Sequence, residues 1–372
     1  MLLDPFLIDF ILVKIAVLVS GGVDSSVALA LLKNAGHDVT AFYLKIWLED
    51  ELAFLGSCPW EEDLEFVRAA CTHLNVPLNI ISLQQEYWDA VVSYTIKEAQ
   101  EGRTPNPDVL CNQFVKFDAF YKKISPEYEK VATGHYAHVE EKDGLFELSC
   151  APDLIKDQTY FLSQLSQQQL GRALFPLGKM TKEEVRKLAY EFNLPTASRK
   201  DSYGICFLGK ISFDDFLEHH LKTRPGNLVE FETGKILGTH RGFWFHTIGQ
   251  RKGLGLSGGP WFVVTKNPTL NIVYISKNYH APEKERRVFS IEKIHWISNT
   301  PPQQLNLAVK LRHGPEKHQC TVQLNAENST ATVTLQESDQ GIAPGQFAVF
   351  YDGNVCVGCG VISLPEMPVF AS

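Results

Sequence analysis

Cys111 lies in a segment whose residue types suit sulfur chemistry. It follows the proline-stiffened residues 104–110, and we expect it in the first turn of a helix capped by Asp108. A helix N-terminus favours the thiolate, which is the nucleophilic form of cysteine. The Asp108 carboxylate opposes this effect, so its predicted role is proton acceptor or donor beside a reacting base. The segment alone leaves a buried, unreactive cysteine equally open.

Cys206 is the second candidate thiol. It lies in residues 201–207, after a predicted helix, and Arg199, Lys200 and Lys210 are close to it in the chain. Neighbouring cations lower the pKa of a thiol. A cysteine in a loop can also move toward a partner, which a relay of sulfur requires.

Residues 20–26, with the sequence SGGVDSS, form a candidate phosphate-binding loop between a predicted strand and a predicted helix. Gly21 and Gly22 allow the backbone to approach phosphate oxygens, and the helix N-terminus adds N–H donors and a favourable dipole. The loop lacks the lysine of a Walker loop and the spacing of a dinucleotide fingerprint. We therefore predict a polyphosphate site of another kind.

The elements around these residues predict an α/β domain with a mostly parallel sheet. Strands are expected at residues 15–19, 39–44, 79–82 and 130–133, and helices at 25–35 and 61–74. A further helix should begin at Thr181, where Glu184 completes a capping box.

The chain changes character after Gly204. A short helix at residues 213–220 and β segments around Leu228, Ile236, Trp244 and Val263 predict a small mixed domain. Alternating residues 305–311, 320–324 and 331–335 predict a C-terminal β-barrel or sandwich. The predicted division is an N-terminal extension at 1–13, set apart by a natural domain start at Lys14, then domains at 14–205, 206–287 and 288–372.

Composition excludes several classes of protein. A net charge of -8 argues against nonspecific coating of nucleic acid. Basic residues between Lys284 and Lys317 are compatible with either an RNA contact or a solvated face. We expect no membrane span, a cytoplasmic location and reduced thiols, with the pair Cys356 and Cys359 on a strand rather than on zinc. Residues 253–258 match G-x-G-x-x-G, but Pro260 follows, so a loop is predicted.

The phosphate loop resembles that of the PP-loop ATP pyrophosphatases, which adenylate an oxygen atom and release pyrophosphate. Several further motifs, in order from Lys14 onward, resemble the bacterial tRNA-specific 2-thiouridylase family. They are residues 20–26, 105–112 with Lys116 and Phe117, 132–136, 156–158 with 160–162, 201–207, 246–253 and 344–346. The resemblance implies a PP-loop α/β domain, then a central tRNA-binding domain and a C-terminal β-barrel.

The resemblance implies that ATP, with Mg²⁺, adenylates the C2 oxygen of the wobble uridine, and that sulfur then displaces AMP. Cys206 would carry a persulfide, Cys111 would act as nucleophile or resolving thiol, and a disulfide between them could close the cycle. The implied partners are tRNA, with lysine, glutamate and glutamine isoacceptors, and a cysteine desulfurase or sulfur-relay protein. A monomer is expected.

The family's site residues carry over by position. ATP is expected beside Ala16, Val17, Leu18, Val19, Ser20, Gly21, Gly22, Val23, Asp24, Ser25, Leu44 and Gly134. The target base is expected beside Asn106, Pro107 and Asp108, and tRNA beside His135, Lys156, Asp157, Gln158, Arg312, His313 and Gln346. Two positions depart from the family pattern: Tyr203 replaces an expected threonine, and His313 an expected tyrosine.

Two other functions fit part of the pattern. One is another PP-loop ligase or amidotransferase acting on a small molecule, which would not need paired cysteines. The other is a noncatalytic RNA-binding or sulfur-carrier adaptor, for which ATP would be a structural ligand only. Formation of AMP that depends on tRNA distinguishes the thiolase from the adaptor.

Overall fold

The fold was taken from a computed structural model, which describes residues 13–46, 59–200, 212–281, 284, 286–325 and 329–363. The chain packs as two compact units. The α/β unit comprises Met1–Tyr87, Asn112–Thr159 and Leu165–Gly209, and the β-rich unit comprises Trp88–Cys111, Tyr160–Gln164 and Lys210–Ser372.

A five-stranded parallel sheet forms the centre of the α/β unit. Its strands are β1 Lys14–Leu18, β2 Asp38–Lys45, β3 Leu78–Ser82, β4 Lys130–Ala132 and β7 Ala173–Leu174, in the order β3-β2-β1-β4-β7. The hairpin β5 Ala137–Lys142 and β6 Leu145–Cys150 lies between β4 and β7 in the chain. The order reverses at β1, which pairs with β2 on one side and β4 on the other. Ligands of such sheets bind beyond the carboxyl ends of the strands at this switch point.

Helices cover the parallel sheet because β1 is apolar on both faces, with Ile15, Ala16 and Val17 fully buried. The helix Val23–Asn34 contributes to two clusters of buried side chains. One contains residues of the sheet and of the helix Pro59–Leu74, and the other contains residues of the helix Lys182–Glu191. The predicted strands and these three helices are confirmed, including the capping box of Thr181 and Glu184.

Shorter helical segments connect the larger elements. They lie at Gln84–Tyr87, Trp88–Val92, Ser93–Gln100, Pro107–Leu110, Cys111–Ala119, Phe120–Lys123, Thr159–Leu162 and Gln167–Arg172. Trp88–Val92 and Cys111–Ala119 have π-helical hydrogen bonding.

The β-rich unit contains a four-stranded mixed sheet. Its strands are β8 Gly226–Glu230, β9 Ile236–His240, β10 Phe262–Asn267 and β11 Ile272–Ser276, in the order β10-β11-β8-β9. The helix Phe213–Leu221 precedes it and is capped by Ser212. The predicted β segment at Trp244 is wrong, because Phe243–Phe245 form a 3₁₀ turn in which Phe243 and Phe245 are buried.

A six-stranded antiparallel barrel completes this unit. Its strands are β12 Val288–Trp296, β13 Asn306–Lys310, β14 His318–Leu324, β15 Thr330–Leu335, β16 Phe347–Asp352 and β17 Val355–Ser363. They follow the order β12-β15-β14-β13-β16-β17, and pairing of β12 with β17 closes the barrel. Alternate buried side chains such as Ile291, Val322 and Phe350 fill it. The predicted strand at Cys356 and Cys359 is confirmed as β17.

The packing of Trp88–Cys111 and Tyr160–Gln164 with the β-rich unit was not expected from the sequence. Both segments lie inside the predicted domain 14–205, and the sequence-based domain limits remain predictions. The residues just before Cys111 therefore pack with parts of the chain that come much later in the sequence.

Candidate functional site

The predicted phosphate loop joins β1 to the helix Val23–Asn34. Gly22 is the N-cap residue, and because glycine has no side chain, the N–H groups of the first helical turn are left for an external acceptor. The hydroxyls of Ser25 and Ser26 donate to the Gly22 carbonyl at 3.2 and 2.9 Å, and the Ser20 backbone N–H donates to Ser25 Oγ at 3.2 Å. The loop is thus ordered by its own serines.

Arg199 holds the outer side of this loop. Its guanidinium donates to the Gly21 carbonyl at 2.7 Å and to Asp63 Oδ1 at 2.8 Å, and it stacks on the Phe66 ring at 4.2 Å. Gly21 has φ +77°, and a Cβ at this position would lie 2.6 Å from the Asp63 carbonyl oxygen. Both the conformation and the space therefore require glycine here.

Gly134 brings the loop after β4 against the same helix N-terminus. A Cβ on Gly134 would lie 2.7 Å from the Ser25 backbone nitrogen, so only glycine permits this approach. The loops that follow the two strands flanking the switch point are thus in contact. This is the place where a doubly wound sheet binds a nucleotide.

Asp24 and Lys182 form an ion pair beside the loop that the sequence did not predict. Asp24 Oδ1 accepts from Lys182 Nζ at 2.6 Å and from the Tyr136 hydroxyl at 2.8 Å. Lys182 is the first residue of the helix that Thr181 caps. The capping box in the sequence therefore predicted where Lys182 lies in the helix, but not that it pairs with Asp24. The pair places a cation within a few ångströms of the phosphate loop.

The other residues expected beside ATP lie under or next to this loop. Ala16 and Val17 are fully buried in β1, while Leu18, Val19 and Val23 are almost completely buried. Leu44 lies near the carboxyl end of the neighbouring strand β2 and is half-buried. These side chains lie in or next to the elements that carry the loop. Their contact with a nucleotide remains a prediction.

His135, an expected tRNA contact, packs beside the phosphate loop in the α/β unit. Its Nδ1 lies 2.7 Å from Thr133 Oγ1, and its ring contacts Phe117 and Phe175. Burial, with a smaller effect of Lys116, lowers the pKa of His135 well below its usual range. The ring is therefore neutral at physiological pH, and its contact with RNA remains a prediction.

The expected tRNA contacts at residues 156–158 have different surroundings. Asp157 is fully buried, and its carboxylate accepts from the hydroxyl and the backbone N–H of Thr159 and from the Ala151 N–H. Gln158 Oε1 accepts from the Tyr136 N–H at 3.0 Å, and the Gln158 N–H donates to the Tyr136 carbonyl at 2.9 Å. The hydrogen bonds of Asp157 and Gln158 thus stabilise the conformation of this segment. Lys156 is half-buried.

Asn106, rather than Asp108, caps the helix that leads to Cys111. Asn106 Oδ1 accepts from the Val109 N–H at 3.5 Å, and Pro107 occupies the first helical position. The expectation that Asp108 is the cap is therefore wrong, because Pro107 at the first helical position starts the helix two residues earlier and leaves Asp108 inside the first turn. Cys111 follows that turn instead of lying within it, and only 1% of it is exposed.

Gln346 holds the segment before Cys111 in place from the barrel. Its Nε2 donates to the carbonyls of Thr104 and Pro105 at 3.1 and 3.0 Å, and its Oε1 accepts from Asn106 Nδ2 at 3.2 Å. The Tyr160 hydroxyl donates to the Phe347 carbonyl at 3.0 Å and lies 3.4 Å from Gln346 Oε1. Gln346, which was expected to contact tRNA, thus hydrogen-bonds to Asn106, one of the residues expected beside the target base, and to the two residues before it.

Gly345 brings this barrel turn close to the same segment. Gly345 has φ +88°, and a Cβ on it would lie 2.8 Å from Arg103 Cβ and 2.9 Å from the Thr104 carbonyl oxygen. The Thr104 N–H donates to the Pro344 carbonyl at 2.7 Å. We call residues 104–106 and 344–346, together with Tyr160, the barrel clamp.

Cys206 lies outside the described residues, so its pairing with Cys111 remains a prediction, as do the statements about Tyr203. Three other thiols are poor nucleophiles. Burial raises the pKa of Cys71 to about 11 and that of Cys320 and Cys359 to about 12. A protonated thiol neither attacks nor accepts sulfur readily.

Arg312 and His313 are exposed at the end of β13. Asp339 holds the Arg312 guanidinium through two contacts, at 3.1 and 2.9 Å. The His313 ring lies over Phe161, with centroids 4.6 Å apart and planes inclined at 33°. This stack needs only a flat aromatic ring, which explains how histidine can replace the tyrosine expected at this position.

The basic residues between Lys284 and Lys317 do not form one cationic surface. Lys284 and Lys310 are buried, and Lys284 pairs with Glu232. Arg286 donates to the carbonyls of Val264 and Ile342. Arg287 and Lys293 are exposed. The segment therefore mainly stabilises the β-rich unit.

No group of three or more histidine, cysteine or acidic side chains suited to a metal ion occurs in the described parts of the chain. Within the same parts, no helix has both the length and the apolar character needed to cross a membrane.

The switch-point loop and the domain order define a class: an α/β domain of the HUP type followed by two β domains. Three family models match accordingly. They are described as the tRNA methyl transferase HUP domain at residues 13–210, the tRNA methyl transferase PRC-barrel domain at 214–277 and the aminomethyltransferase beta-barrel domain at 286–362.

Curated relatives identify the family. The tRNA-specific 2-thiouridylase MnmA of Parabacteroides distasonis is 47% identical, with 94% of this chain and 98% of the relative covered. MnmA 1 of Bacteroides thetaiotaomicron is 44% identical, and MnmA of Porphyromonas gingivalis is 42% identical, each covering 94% of this chain and 99% of the relative. The chain belongs to the tRNA-specific 2-thiouridylase MnmA family.

Proposed function

We propose that this protein is a tRNA-uridine 2-sulfurtransferase that uses ATP to replace the C2 oxygen of the wobble uridine with sulfur. The observation that carries the ATP step is the phosphate loop, with a helix N-terminus uncapped by any side chain at the switch point of a parallel sheet. Relatives that match nearly the whole chain are named as tRNA-specific 2-thiouridylases, which supports tRNA uridine as the substrate.

The ATP step activates a poor electrophile. The uridine O2 attacks the α-phosphorus, the bond from that phosphorus to the oxygen bridging to the β-phosphate breaks, and pyrophosphate leaves. A Mg²⁺ ion bound with ATP would supply further neutralisation of the phosphate charge. The N–H groups that follow Gly22 and the nearby Lys182 cation would stabilise the charge on the phosphates. The product is a uridine whose C2 carries AMP as a leaving group.

The sulfur step requires two thiols. In one route the terminal sulfur of a Cys206 persulfide attacks C2 and AMP leaves, after which Cys111 attacks the Cys206 sulfur and releases the thiouridine. A Cys111–Cys206 disulfide remains and must be reduced. In the other route Cys111 attacks the persulfide first, which forms the same disulfide and releases hydrogen sulfide as the nucleophile. Asp108 would transfer a proton at the base in either route.

The tRNA would be held by contacts outside the reacting base. Exposed Arg312 and His313 are suited to phosphate and stacking contacts, and neutral His135 to a hydrogen bond or a stack. Asn106 to Asp108 would surround a uridine flipped out of the anticodon loop. Lysine, glutamine and glutamate tRNAs are the proposed substrates, and a desulfurase or relay protein the proposed sulfur source.

Nucleoside mass spectrometry tests this function. A strain lacking the gene should lose 2-thiouridine derivatives, and wild-type protein should restore them. Cys111→Ser and Cys206→Ser should not restore them, whereas Cys320→Ser, which changes a buried barrel thiol, should. Purified Cys206→Ser should still release pyrophosphate from ATP when tRNA is present. Unchanged 2-thiouridine in the deletion strain would reject the proposal.

A further inference from the structure

Residues 249–261 form a loop on the four-stranded sheet that the proposed reaction does not use. Its two ends are tied to the start of β10: the Gly249 N–H donates to the Val263 carbonyl at 2.9 Å, and the Val263 N–H to the Gln250 carbonyl at 3.0 Å. Gln250 also fixes the turn, because its Oε1 accepts from the Thr247 N–H and its Nε2 donates to the Lys252 carbonyl. We call residues 249–261 the glycine loop.

The apolar side chains of the glycine loop point inward. Leu254 and Trp261 are each 7% exposed and belong to the core of the sheet, and the Trp261 indole N–H donates to the Ser257 carbonyl at 3.1 Å. Gly253, Gly255 and the residues from Ser257 to Pro260 are exposed. Anchoring by these two side chains fixes the loop with its backbone toward solvent.

The backbone N–H groups of this loop are available to an anion. In the described structure, no protein acceptor receives a hydrogen bond from the backbone nitrogens of residues 253–259 or 261. Among residues 252–255, φ is positive only at Gly253, +82°, and Gly255, +65°, so its sign alternates along the chain. Alternation of the sign of φ between neighbouring residues is a feature of nests, the backbone concavities in which successive N–H groups converge on an anion.

A cavity of about 710 Å³ opens beside these groups, lined by Arg251, by Trp261 and by residues of the loop between them. None of its lining residues is acidic. Lys277 Nζ lies 4.7 Å from the centre of the Trp261 ring, and Arg251, Lys252 and Lys277 are all exposed. Arg251 and the loop backbone thus line a space that has no acidic lining residue, and Lys277 lies over one of the other lining side chains, Trp261.

We propose that the glycine loop binds a phosphate of the tRNA sugar-phosphate backbone, at a nucleotide other than the one that is thiolated. Arg251, Lys252 and Lys277 supply the charge, and the N–H groups around Gly255 supply directed donors. The site does not discriminate between RNA sequences, because phosphate contacts position a nucleic acid without specifying its bases. It gives a chain with a net charge of -8 a local cationic contact for RNA. The proposal depends on tRNA being the substrate.

The charge is tested by tRNA binding at several salt concentrations, with the full-length protein and no ATP. Arg251→Gln, Lys252→Gln and Lys277→Gln should each weaken binding about three- to tenfold and reduce the slope of log K against log [salt] by about one. Lys235→Gln, on the turn between β8 and β9, is the matched control and should leave both unchanged. Wild-type affinity and slope in all three variants would overturn the proposal.

The backbone is tested by Gly255→Ala. No atom lies within 4 Å of a Cβ at Gly255, so this substitution causes no clash but disfavours φ +65° and turns the N–H groups away. Gly234→Ala is the matched control, with φ +70° and equally open space in the turn after β8. Gly255→Ala should weaken tRNA binding several-fold more than Gly234→Ala, and equal binding by the two variants would contradict the proposed site.

The outcomes separate this site from the proposed function. If tRNA is not the substrate, the wild-type protein will show no specific tRNA binding. If only the loop is wrongly assigned, wild type and variants will bind tRNA alike. Slower loading of sulfur from a donor protein with unchanged tRNA binding would assign the loop to a protein partner instead, and would overturn the proposal.

Discussion

Substitution of Gln346 by alanine should disorder the segment before Cys111 without touching the reacting groups. The Gln346 side chain makes three hydrogen bonds to residues 104–106, at 3.0 to 3.2 Å. Each neutral hydrogen bond contributes roughly 0.5–1.5 kcal/mol, and water will replace part of this at a half-buried position. A net loss of about 2 kcal/mol in the stability of the ordered conformation of residues 104–106 should lower the thiolation rate about 30-fold.

The assay is single-turnover thiolation of tRNA at saturating ATP and tRNA, together with alkylation of Cys111 in the tRNA-free protein. Only 1% of Cys111 is exposed, so a loosened clamp should increase its alkylation rate. Gln346→Glu keeps an acceptor for Asn106 but loses both donated hydrogen bonds, and it should resemble Gln346→Ala. Tyr160→Phe, which keeps all three Gln346 contacts to the segment, should have a much smaller effect.

A different result would refute this reasoning. If Gln346→Ala weakens tRNA binding while the rate at saturating tRNA and the alkylation of Cys111 stay at wild-type values, Gln346 is only a tRNA contact. A double-mutant cycle with Asn106→Ala gives a second measure. The clamp predicts a coupling energy of about 1 kcal/mol between the two positions, whereas independent tRNA contacts would be additive.

Three further predictions follow from other contacts. Arg199→Ala should weaken ATP binding about tenfold, because the hydrogen bond to Gly21 and the partly exposed ion pair with Asp63 that it removes together contribute about 1.4 kcal/mol to the order of the phosphate loop. A wild-type affinity in calorimetry would contradict this. Burial lowers the pKa of His246 to about 4. Between pH 6.5 and pH 4, His246 therefore binds a proton in the unfolded chain but not in the folded chain. The free energy of unfolding should therefore fall by about 2 kcal/mol between pH 7 and pH 5 through His246 alone, and His246→Asn should reduce this slope in urea titrations. An unchanged slope in that variant would contradict the prediction. Cys359→Ser should lower the melting temperature yet retain thiolation, since burial raises the pKa of that thiol to about 12, and loss of activity in the folded variant would show that the thiol has a chemical role.

The sequence predicted those elements whose signals are local. The β1 strand, the loop at residues 20–26 and the Thr181 capping box are each specified by residues within a few positions of one another, and the structure has all three. Trp244 was misassigned because an aromatic residue between glycine-containing segments suits either a strand or a buried turn. The cap at Asn106 was missed because Asp108 is an equally good cap by type, and only Pro107 decides between them.

The rest depended on contacts between distant residues. Asn106 and Gln346 are separated by 240 positions, and Asp24 and Lys182 by 158. Periodicity and propensity carry no information about such pairs. The family motifs predicted Asn106 and Gln346 as site residues, but not that the two side chains hydrogen-bond to each other. Likewise, the sequence predicted that residues 253–258 form a loop, whereas the sign of φ and the inward side chains were needed to propose an anion site there.

The barrel clamp also makes the surroundings of Cys111 depend on the folding of the barrel. Residues 104–106 take their partners from residues 344–346, which come directly before β16. The segment before Cys111 therefore keeps these hydrogen bonds only while that edge of the barrel is in place. A substitution that destabilises the barrel should thus also loosen this segment, although the two are about 240 positions apart in the chain.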